Sequence, residues 1–152
     1  MAHDHDHIDP AGLAHEVASR LAGVGQRLTG TRRAIVDALA NAEKPLSIPE
    51  ILSAGSGLAQ SSVYRNLAVL ERAGAVTRVV TTDEWARFEL SEALTGHHHH
   101  LVCSRCGAVD DVRIPDDIEH ELDHALNVLA DRAGFELQHH RLDLVGVCGK
   151  CR

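Results

Sequence analysis

The chain has 152 residues, of which 44% are apolar, and this suffices for the core of one compact domain or of two small ones. No apolar run approaches the roughly 18 residues that a membrane span requires, and no secretory signal opens the chain, so a soluble cytoplasmic protein is expected. The formal charge of −7 argues at first sight against a nucleic-acid partner. However, residues 20–82 carry eight basic and four acidic groups and lie between two acidic segments.

Three short helices are predicted in the first third of the chain. They follow residues 1–10, where His and Asp alternate without hydrophobic periodicity and predict a disordered tail. Apolar spacing predicts one helix over residues 13–21 and a second from about Thr31. Ser47 and Glu50 then have the spacing of a capping box, which predicts the start of a third helix.

Residues 61–73 have the clearest helical pattern, and Gly74 stands where a C-terminal cap is expected. At 100° per residue, Val63, Leu67 and Leu70 share one stripe, which is expected to face the core. The opposite side offers hydroxyl and guanidinium groups with an aromatic ring beside them. These residues are Ser61, Tyr64, Arg65, Ala68 and Arg72.

Two runs rich in β-formers follow, over residues 76–81 and 85–90, with an Asp-Glu turn at 83–84. Short helices followed by a hairpin are the element order of a winged helix-turn-helix. The fourth helix also lies in the only net-positive stretch, so DNA binding is favoured over simple core packing. Upstream basic residues that can meet phosphates are Arg27, Arg32 and Arg33.

The second half of the chain predicts a small α/β domain behind a hinge at residues 91–96. Strands are expected over residues 97–103, 109–114 and 137–147, and a helix over residues 116–133. The apolar stripe of that helix is expected to face inward. It consists of Ile118, Leu122, Leu126 and Leu129.

All four cysteines stand in two C-x-x-C pairs, Cys103 with Cys106 and Cys148 with Cys151. Two such pairs complete the closed tetrahedron that structural zinc prefers, with sulfur at about 2.3 Å from the ion. Disulfides are not expected without an export signal, and a redox C-x-x-C does not normally need a second copy. Structural zinc is therefore predicted, with an iron–sulfur or mononuclear iron site as the alternative.

A run of four histidines at residues 97–100 directly precedes the first cysteine pair. Side chains alternate along a strand, so the odd-numbered and even-numbered histidines point to opposite faces, and two separate metal sites are expected. The candidate further ligands are Glu119 and His140 for His97 and His99, and Glu89 and Asp111 for His98 and His100. The alternative is a polar strand or linker that binds nothing specific.

Together these motifs resemble the ferric uptake regulator family of metal-responsive bacterial repressors, over about residues 20–152. The matching segments, in family order, are Arg27-Leu-Thr29-Gly-Thr-Arg32, Ser62-Val63-Tyr64-Arg65-Asn66-Leu67, Arg87-Phe88-Glu89-Leu90, His97-His-His-His-Leu-Val-Cys103-Ser-Arg-Cys106-Gly107 and Cys148-Gly-Lys-Cys151.

The resemblance implies an α+β protein with an N-terminal winged helix-turn-helix domain and a small α/β dimerisation domain that holds structural zinc. The expected division is a flexible tail with the start of the first helix over residues 1–19, a DNA-binding domain over 20–90 and a metal-binding dimerisation domain over 91–152. A homodimer is expected to bind a palindromic double-stranded operator when metal is loaded. Neither a membrane nor a small organic substrate is expected as a partner.

The resemblance also implies roles for the candidate ligands. The sensing site is expected to use Glu89, His98, His100 and Asp111, and the accessory site His97, His99, Glu119 and His140. The four cysteines match the structural zinc site. The expected DNA-binding residues are Arg27, Thr29, Arg32, Ser61, Ser62, Tyr64 and Arg65.

Two departures from the family pattern bear on the sensed metal. Iron and peroxide sensors often take a further His from just before the third helix, but residues 44–47 supply none. Zinc sensors of actinobacterial type often have a Cys ahead of the histidine run, and residues 91–96 lack one. A four-coordinate site suits zinc, so a zinc-responsive repressor is favoured. Iron(II), manganese, nickel and peroxide responses are the alternatives within the family, and Glu89 in place of Asp disfavours peroxide.

Two function classes outside transcription fit the sequence less well. A zinc enzyme would need an open metal position and a nearby base, but neither H-E-x-x-H nor a deaminase-type H-x-E with P-C-x-x-C is present. A metal-storage protein would explain the His-rich tail but gives no reason for Ser61, Tyr64 and Arg65 on one helix face. No enzymatic activity is therefore expected.

Overall fold

A computed structural model of the chain describes residues 9–55, 57–81 and 86–152. It forms two compact units, the first ending at Gly96 and the second spanning His97–Arg152. Most of the predicted tail and the turn predicted at residues 83–84 lie outside the described residues. Within the described ranges, no helix is both long and apolar enough to cross a lipid bilayer.

The first unit combines five helices and a three-stranded antiparallel sheet among its described residues. In chain order the elements are α1 (Pro10–Gly23), α2 (Gly30–Ala40), β1 (Leu46–Ser47), α3 (Ile48–Ala54), α4 (Gln60–Arg72), β2 (Val76–Val79), β3 (Arg87–Leu90) and α5 (Glu92–Thr95). The strand order is β1-β3-β2. The predicted winged helix-turn-helix is therefore confirmed.

Side-chain caps fix where three of these helices begin. Asp9 accepts hydrogen bonds from the first turn of α1, and the Thr29 hydroxyl accepts one from the Arg32 amide in α2. The predicted capping box is present at α3, where Ser47 and Glu50 each accept a hydrogen bond from the other's backbone N–H. Beyond α4, Gly74 has φ +69°, a left-handed conformation that glycine adopts without strain.

The core of the first unit forms where the apolar stripes of the helices meet the sheet. As predicted, the stripe of α4 is buried, with Val63, Leu67 and Leu70 at most 1% exposed. It packs with buried residues of α1, α2 and α3 and with Phe88 and Leu90 of β3. Only the polar side of α4 is left for solvent, which sets the orientation of that helix.

Two elements of the first unit were not predicted. β1 has only two residues, paired with Phe88 and Arg87, and so short a segment shows no periodicity in the sequence. Within the segment predicted as a hinge lies α5, which begins after Ser91 and ends before Gly96.

The second unit contains β4 (His99–Cys103), β5 (Val109–Val112), α6 (Asp116–Arg132) and β6 (Asp143–Gly146). β4 is the central strand, antiparallel to β5 and parallel to β6. The register places His99 and His100 opposite β5, and His100 and Cys103 opposite β6.

Two expectations for the second unit were wrong. The predicted third strand is shorter, because residues 137–142 run without regular structure before β6 begins. The apolar stripe of α6 does not face inward: no residue of the helix is buried, and Ile118 and Leu129 are 51% and 60% exposed. Leu122 and Leu126 are half-buried, and the sheet of three short strands leaves the rest of the stripe in solvent.

Candidate metal centres and nucleic-acid interface

The four cysteines converge on one point in the second unit. One sulfur from each lies within 4.8 Å of every other, and the Cys106 and Cys148 sulfurs are 3.7 Å apart. Cys103 ends β4, while Cys148 and Cys151 follow β6, so the parallel pairing of these two strands brings the pairs together. All four are free thiols rather than disulfides. Four sulfurs at this spacing form a closed set for a tetrahedral ion.

Backbone dipoles prepare this cluster for thiolates. N–H groups of Cys148, Cys106 and Arg105 point at the Cys103 sulfur and lower the pKa of that thiol from 9.0 to about 6. By contrast, hydrogen bonding with the side chains of Cys148 and Cys106 raises the pKa of Cys151 to about 12. The surroundings thus favour the thiolate of Cys103 and disfavour that of Cys151, and a bound cation would stabilise the thiolate form of the set.

A second cluster gathers around the carboxylate of Glu119 on α6. Its Oε2 lies 2.9 Å from Nε2 of His99, and its Oε1 lies 3.1 Å from Nε2 of both His97 and His140. His99 is only 1% exposed. Hydrogen bonding with His99 is the main reason that the pKa of Glu119 is lowered, against the raising effect of burial.

This Glu119 cluster fits a divalent metal ion. Its four candidate ligand atoms lie within 4.8 Å of one another. The Nε2 atoms of His97 and His140 are only 3.3 Å apart, and the buried Nδ1 of His99 has no hydrogen-bond partner among the described residues. The Nε2 atoms of three imidazoles are directed at one carboxylate and at one another, so their lone pairs lack donors, and a bound cation would accept those lone pairs.

A third cluster stands on the opposite face of the histidine run. One ligand atom from each of His98, His100 and Asp111 lies within 4.8 Å of the others. His98 and His100 are buried, and Asp111 stands directly opposite His100 in the β4–β5 register. The structure thus brings together the three predicted ligands that belong to this unit. Glu89 belongs to the first unit, where β3 carries it opposite Thr77.

Two carboxylates that the sequence did not point to bind the outer nitrogens of candidate ligands. Asp143 Oδ1 lies 3.1 Å from Nδ1 of His100, and Asp123 Oδ1 lies 3.1 Å from Nδ1 of His140. Asp123 stands four residues after Glu119 on the same helix face, a signal that the sequence did contain. Carboxylates in this position fix the tautomer and the orientation of a metal-binding imidazole.

The exposed side of α4 carries the predicted recognition residues. Tyr64 is 53% exposed, and Ser61 and Arg65 are exposed as well. Arg27 and Thr29 are exposed just before α2. Within the described residues, the side chains of Tyr64 and Arg65 form no hydrogen bond or ion pair with the rest of the chain, so both can reach an external partner.

Four of the residues predicted to bind DNA form hydrogen bonds within the protein. The Thr29 hydroxyl accepts a hydrogen bond from the Arg32 amide at the start of α2. The Arg32 side chain donates to the carbonyl oxygen of Arg27, in the loop that also contains Thr29. The Arg32 guanidinium donates to Asn66 of α4, and the Ser62 hydroxyl lies 3.2 Å from the Asn66 amide nitrogen. Arg33 is paired with Asp37 on the surface of α2.

Comparison with known proteins agrees with the winged-helix fold. The sequence model of the ferric uptake regulator family matches residues 23–145. The chain belongs to this family. The peroxide operon regulator of Bacillus subtilis is 32% identical over 145 residues, which cover 91% of this chain and 94% of that protein. The predicted family resemblance is thereby confirmed.

Solved structures of ferric uptake regulators show the same fold. The Vibrio cholerae ferric uptake regulator matches with a TM-score of 0.66 at 30% identity, over 86% of this chain and 98% of that chain. The Helicobacter pylori protein matches with a TM-score of 0.75 over 94% and 93%, and at 22% identity it supports the fold alone. As a ferric uptake regulator family member, the chain is a metal-responsive transcriptional regulator.

Proposed function

We propose that this chain is a zinc-responsive transcriptional repressor that binds its operator when a sensing site is loaded with metal. The observation that carries the proposal is the gathering of His98, His100 and Asp111 on the face of β4 opposite the Glu119 cluster. A separate ligand set of this kind has no structural task once the four cysteines hold their own ion.

Each cluster has a distinct part in the proposal. The cysteine set holds structural zinc and ties the end of β6 to the end of β4. The accessory site uses His97, His99, Glu119 and His140. The sensing site uses His98, His100 and Asp111, with Glu89 of the first unit added on the family resemblance alone. Two imidazoles and two carboxylates, without a further histidine before α3, make a four-coordinate set that suits zinc.

The proposed response is a shift between arrangements of the DNA-binding and dimerisation domains, with their boundary near residues 90–91. A divalent ion supplies the positive charge that lets the carboxylates and imidazoles share one position. Glu89 is separated from His98 by the residues that join the two domains, so joint ligation by both would favour one arrangement of these domains. That arrangement must bind metal more tightly than the alternatives, because equal affinity would shift no population.

The DNA-binding surface is the exposed side of α4 with the loop before α2. Arg65 and Tyr64 are placed to reach base edges or phosphates, and Arg27, Thr29 and Ser61 extend the polar surface beside them. Arg32 and Ser62 support the same surface. The basic character of residues 20–82 supplies the attraction that every DNA-binding protein needs toward phosphates.

We also propose that two copies pair through the second unit and bind a palindromic duplex. The exposed stripe of α6 and the exposed apolar side chains of β6 support this, because a stable monomer rarely leaves so many large apolar groups in water. Two recognition helices related by a twofold axis would then read two half-sites.

A second candidate is an iron-dependent peroxide response, which the 32% identity to the Bacillus subtilis peroxide operon regulator favours. The same nitrogen and oxygen ligands suit iron(II) or manganese. The two candidates predict different behaviour. A zinc sensor binds DNA with zinc and stays bound after brief treatment with hydrogen peroxide, whereas an iron-loaded peroxide sensor loses its DNA.

The test begins with purified full-length protein that retains its cysteine-bound metal. A duplex is selected from a random 30-base-pair pool, and its binding is titrated with zinc, iron(II), manganese or nickel under anaerobic conditions. We expect zinc to promote binding at the lowest free concentration. Binding that is identical with chelator and with every metal would contradict the proposal.

A paired substitution tests the DNA surface separately. Arg65→Ala should weaken binding to the selected duplex by about tenfold while the bound zinc and the dimer stay intact. Arg152→Ala removes the same charge from an exposed position in the other unit and should have little effect. Loss of zinc from the Arg65→Ala variant would instead make Arg65 a structural residue.

A further inference from the structure

The guanidinium of Arg32 is bonded within the protein through all three of its nitrogens. Nε donates to Asn66 Oδ1 at 2.9 Å, Nη2 donates to Gln26 Oε1 at 2.9 Å, and Nη1 donates to the carbonyl oxygen of Arg27 at 2.6 Å. The residue lies in the first turn of α2 and is half-buried. This contrasts with Arg65, whose exposed side chain has no such partner among the described residues.

The Asn66 side chain continues the contact into α4. Its Nδ2 donates to the backbone oxygen of Ser62 at 2.8 Å and lies 3.2 Å from the Ser62 hydroxyl. Asn66 directly follows Arg65 and stands two residues after Tyr64. A chain of hydrogen bonds therefore runs from the loop before α2, through Arg32, to the first turns of the recognition helix.

The apolar core alone constrains the orientation of α4 less precisely than these hydrogen bonds do. Val63, Leu67 and Leu70 pack against other apolar side chains, and such contacts tolerate small rotations and slides of the helix. A charged, forked donor held by three acceptors has strict requirements for distance and direction. Rotating α4 about its axis would break the bond between Arg32 and Asn66 before it exposed the core.

We propose that Arg32 is a positioning residue for DNA recognition, acting through Asn66 to fix α4, rather than a contact to a phosphate. The proposal rests on the DNA-binding function proposed above. It assigns Asn66 a part in specificity although the sequence pattern did not single it out. Arg27 and Arg65 remain the direct cationic contacts on either side of this pair.

A double-mutant cycle on the full-length, metal-loaded protein tests the proposal with the selected 30-base-pair duplex. Arg32→Ala and Asn66→Ala should each weaken binding by about tenfold, and the double variant should be no weaker than either. As the control pair, Arg27→Ala and Asn66→Ala should have effects that multiply. Multiplying effects of Arg32→Ala and Asn66→Ala would overturn the proposal.

Charge retention and salt dependence separate positioning from phosphate contact. Arg32→Lys keeps the charge but loses the planar guanidinium with its several donors, so it should bind DNA as weakly as Arg32→Ala. In both variants, the slope of log affinity against log salt concentration should match that of the wild type. Arg27→Ala should lower that slope by about one. Recovery of binding in Arg32→Lys, or a lower slope in Arg32→Ala, would assign Arg32 to a phosphate.

Two further readouts distinguish positioning from general loss of structure and from failure of the DNA-binding proposal. Arg32→Ala should lower the affinity for the selected duplex more than for a scrambled duplex, whereas partial unfolding would lower both equally and overturn the proposal.

Without DNA, Arg32→Ala and Asn66→Ala should both speed amide exchange over residues 60–66, and Arg65→Ala should not. If the wild type binds no DNA but this exchange pattern holds, the proposed DNA-binding function is wrong, whereas the positioning of α4 by the Arg32–Asn66 hydrogen bond is supported. Unchanged amide exchange in Arg32→Ala and Asn66→Ala would show that this hydrogen bond does not position α4.

Discussion

At the scale of single residues, the candidate metal ligands are oriented by carboxylates that lie outside the ligand sets. Asp143 stands next to β4 because β6 pairs with it in parallel, opposite His100. Its contact with Nδ1 of His100 directs Nε2 toward Asp111, whose Oδ1 lies 3.9 Å away. The tautomer of one ligand is thus set by a carboxylate on a neighbouring strand.

Asp143→Ala should therefore weaken zinc binding at the sensing site by about 10- to 100-fold, since the ring of His100 loses its fixed orientation. The measurement is a competition titration with a zinc chelator on protein whose cysteine site is already filled. Asp110→Ala is the matched control, because it removes an exposed carboxylate from the strand that carries Asp111. Equal zinc affinity in both variants would contradict the assigned role.

The sequence could reveal only those site residues whose spacing along the chain forms a recognisable pattern. Two cysteine pairs and four adjacent histidines are patterns that a chain shows directly, and alternation along a strand separated the two histidine faces correctly. The roles of Asp143 and of Asn66 depend on contacts between elements that are far apart in sequence. Neither the register of β6 against β4 nor the packing of α2 on α4 can be derived from local spacing.

At the scale of elements, the start of α3 shows how a local signal translates into stability. Burial tends to raise the pKa of Glu50, but hydrogen bonds from the Ser47 backbone and hydroxyl and from Lys44 outweigh it, and the pKa is lowered from 4.5. Arg87 of β3 also reaches the same carboxylate at 3.3 Å. The ionised form of Glu50 is therefore favoured by folding.

Because the folded pKa is the lower one, this contribution is fully present above pH 4.5 and is lost as the pH falls through the folded value. Glu50→Gln should lower the free energy of unfolding by about 1 kcal/mol at pH 7 and should flatten its loss below pH 4.5. Urea unfolding at pH 7 and pH 4 measures both effects. Glu43→Gln, at an exposed position, should leave the wild-type pH dependence in place; identical profiles for the two variants would refute the role of Glu50.

The errors in predicting elements have physical causes. The capping box identified α3 and the apolar stripe of α4 identified its buried face, because both signals lie within one turn or a few turns. β1 could not be predicted from the sequence because two residues show no periodicity, and the strand is defined only by its pairing with β3. The spacing of the α6 stripe predicts a covered face, but apolar spacing does not show what covers it.

At the scale of the whole molecule, the second unit leaves a surface that one copy does not cover. α6 exposes Ile118 and Leu129, and β6 exposes Leu144 and Val145, the latter at 63%. β6 is also an edge strand of its sheet, with backbone groups open to pairing. This surface is the one through which the proposed second copy would pair.

Leu129→Glu should convert the dimer into a monomer at micromolar concentration, because a carboxylate would be buried in the interface without a partner. Analytical ultracentrifugation measures this. Asn127→Glu places the same carboxylate on the opposite, exposed side of α6 and should leave the dimer unchanged. A Leu129→Glu variant that remains dimeric would remove α6 from the interface.

The most direct test of metal-dependent DNA binding compares wild type with a His98→Ala, His100→Ala variant, using fluorescence anisotropy of the selected duplex with and without added zinc. Both proteins keep the cysteine set and the Glu119 cluster. We predict that zinc raises the affinity of the wild type by at least tenfold and leaves the variant at its metal-free affinity. A variant that still responds fully to zinc would show that these two histidines are not the sensing ligands.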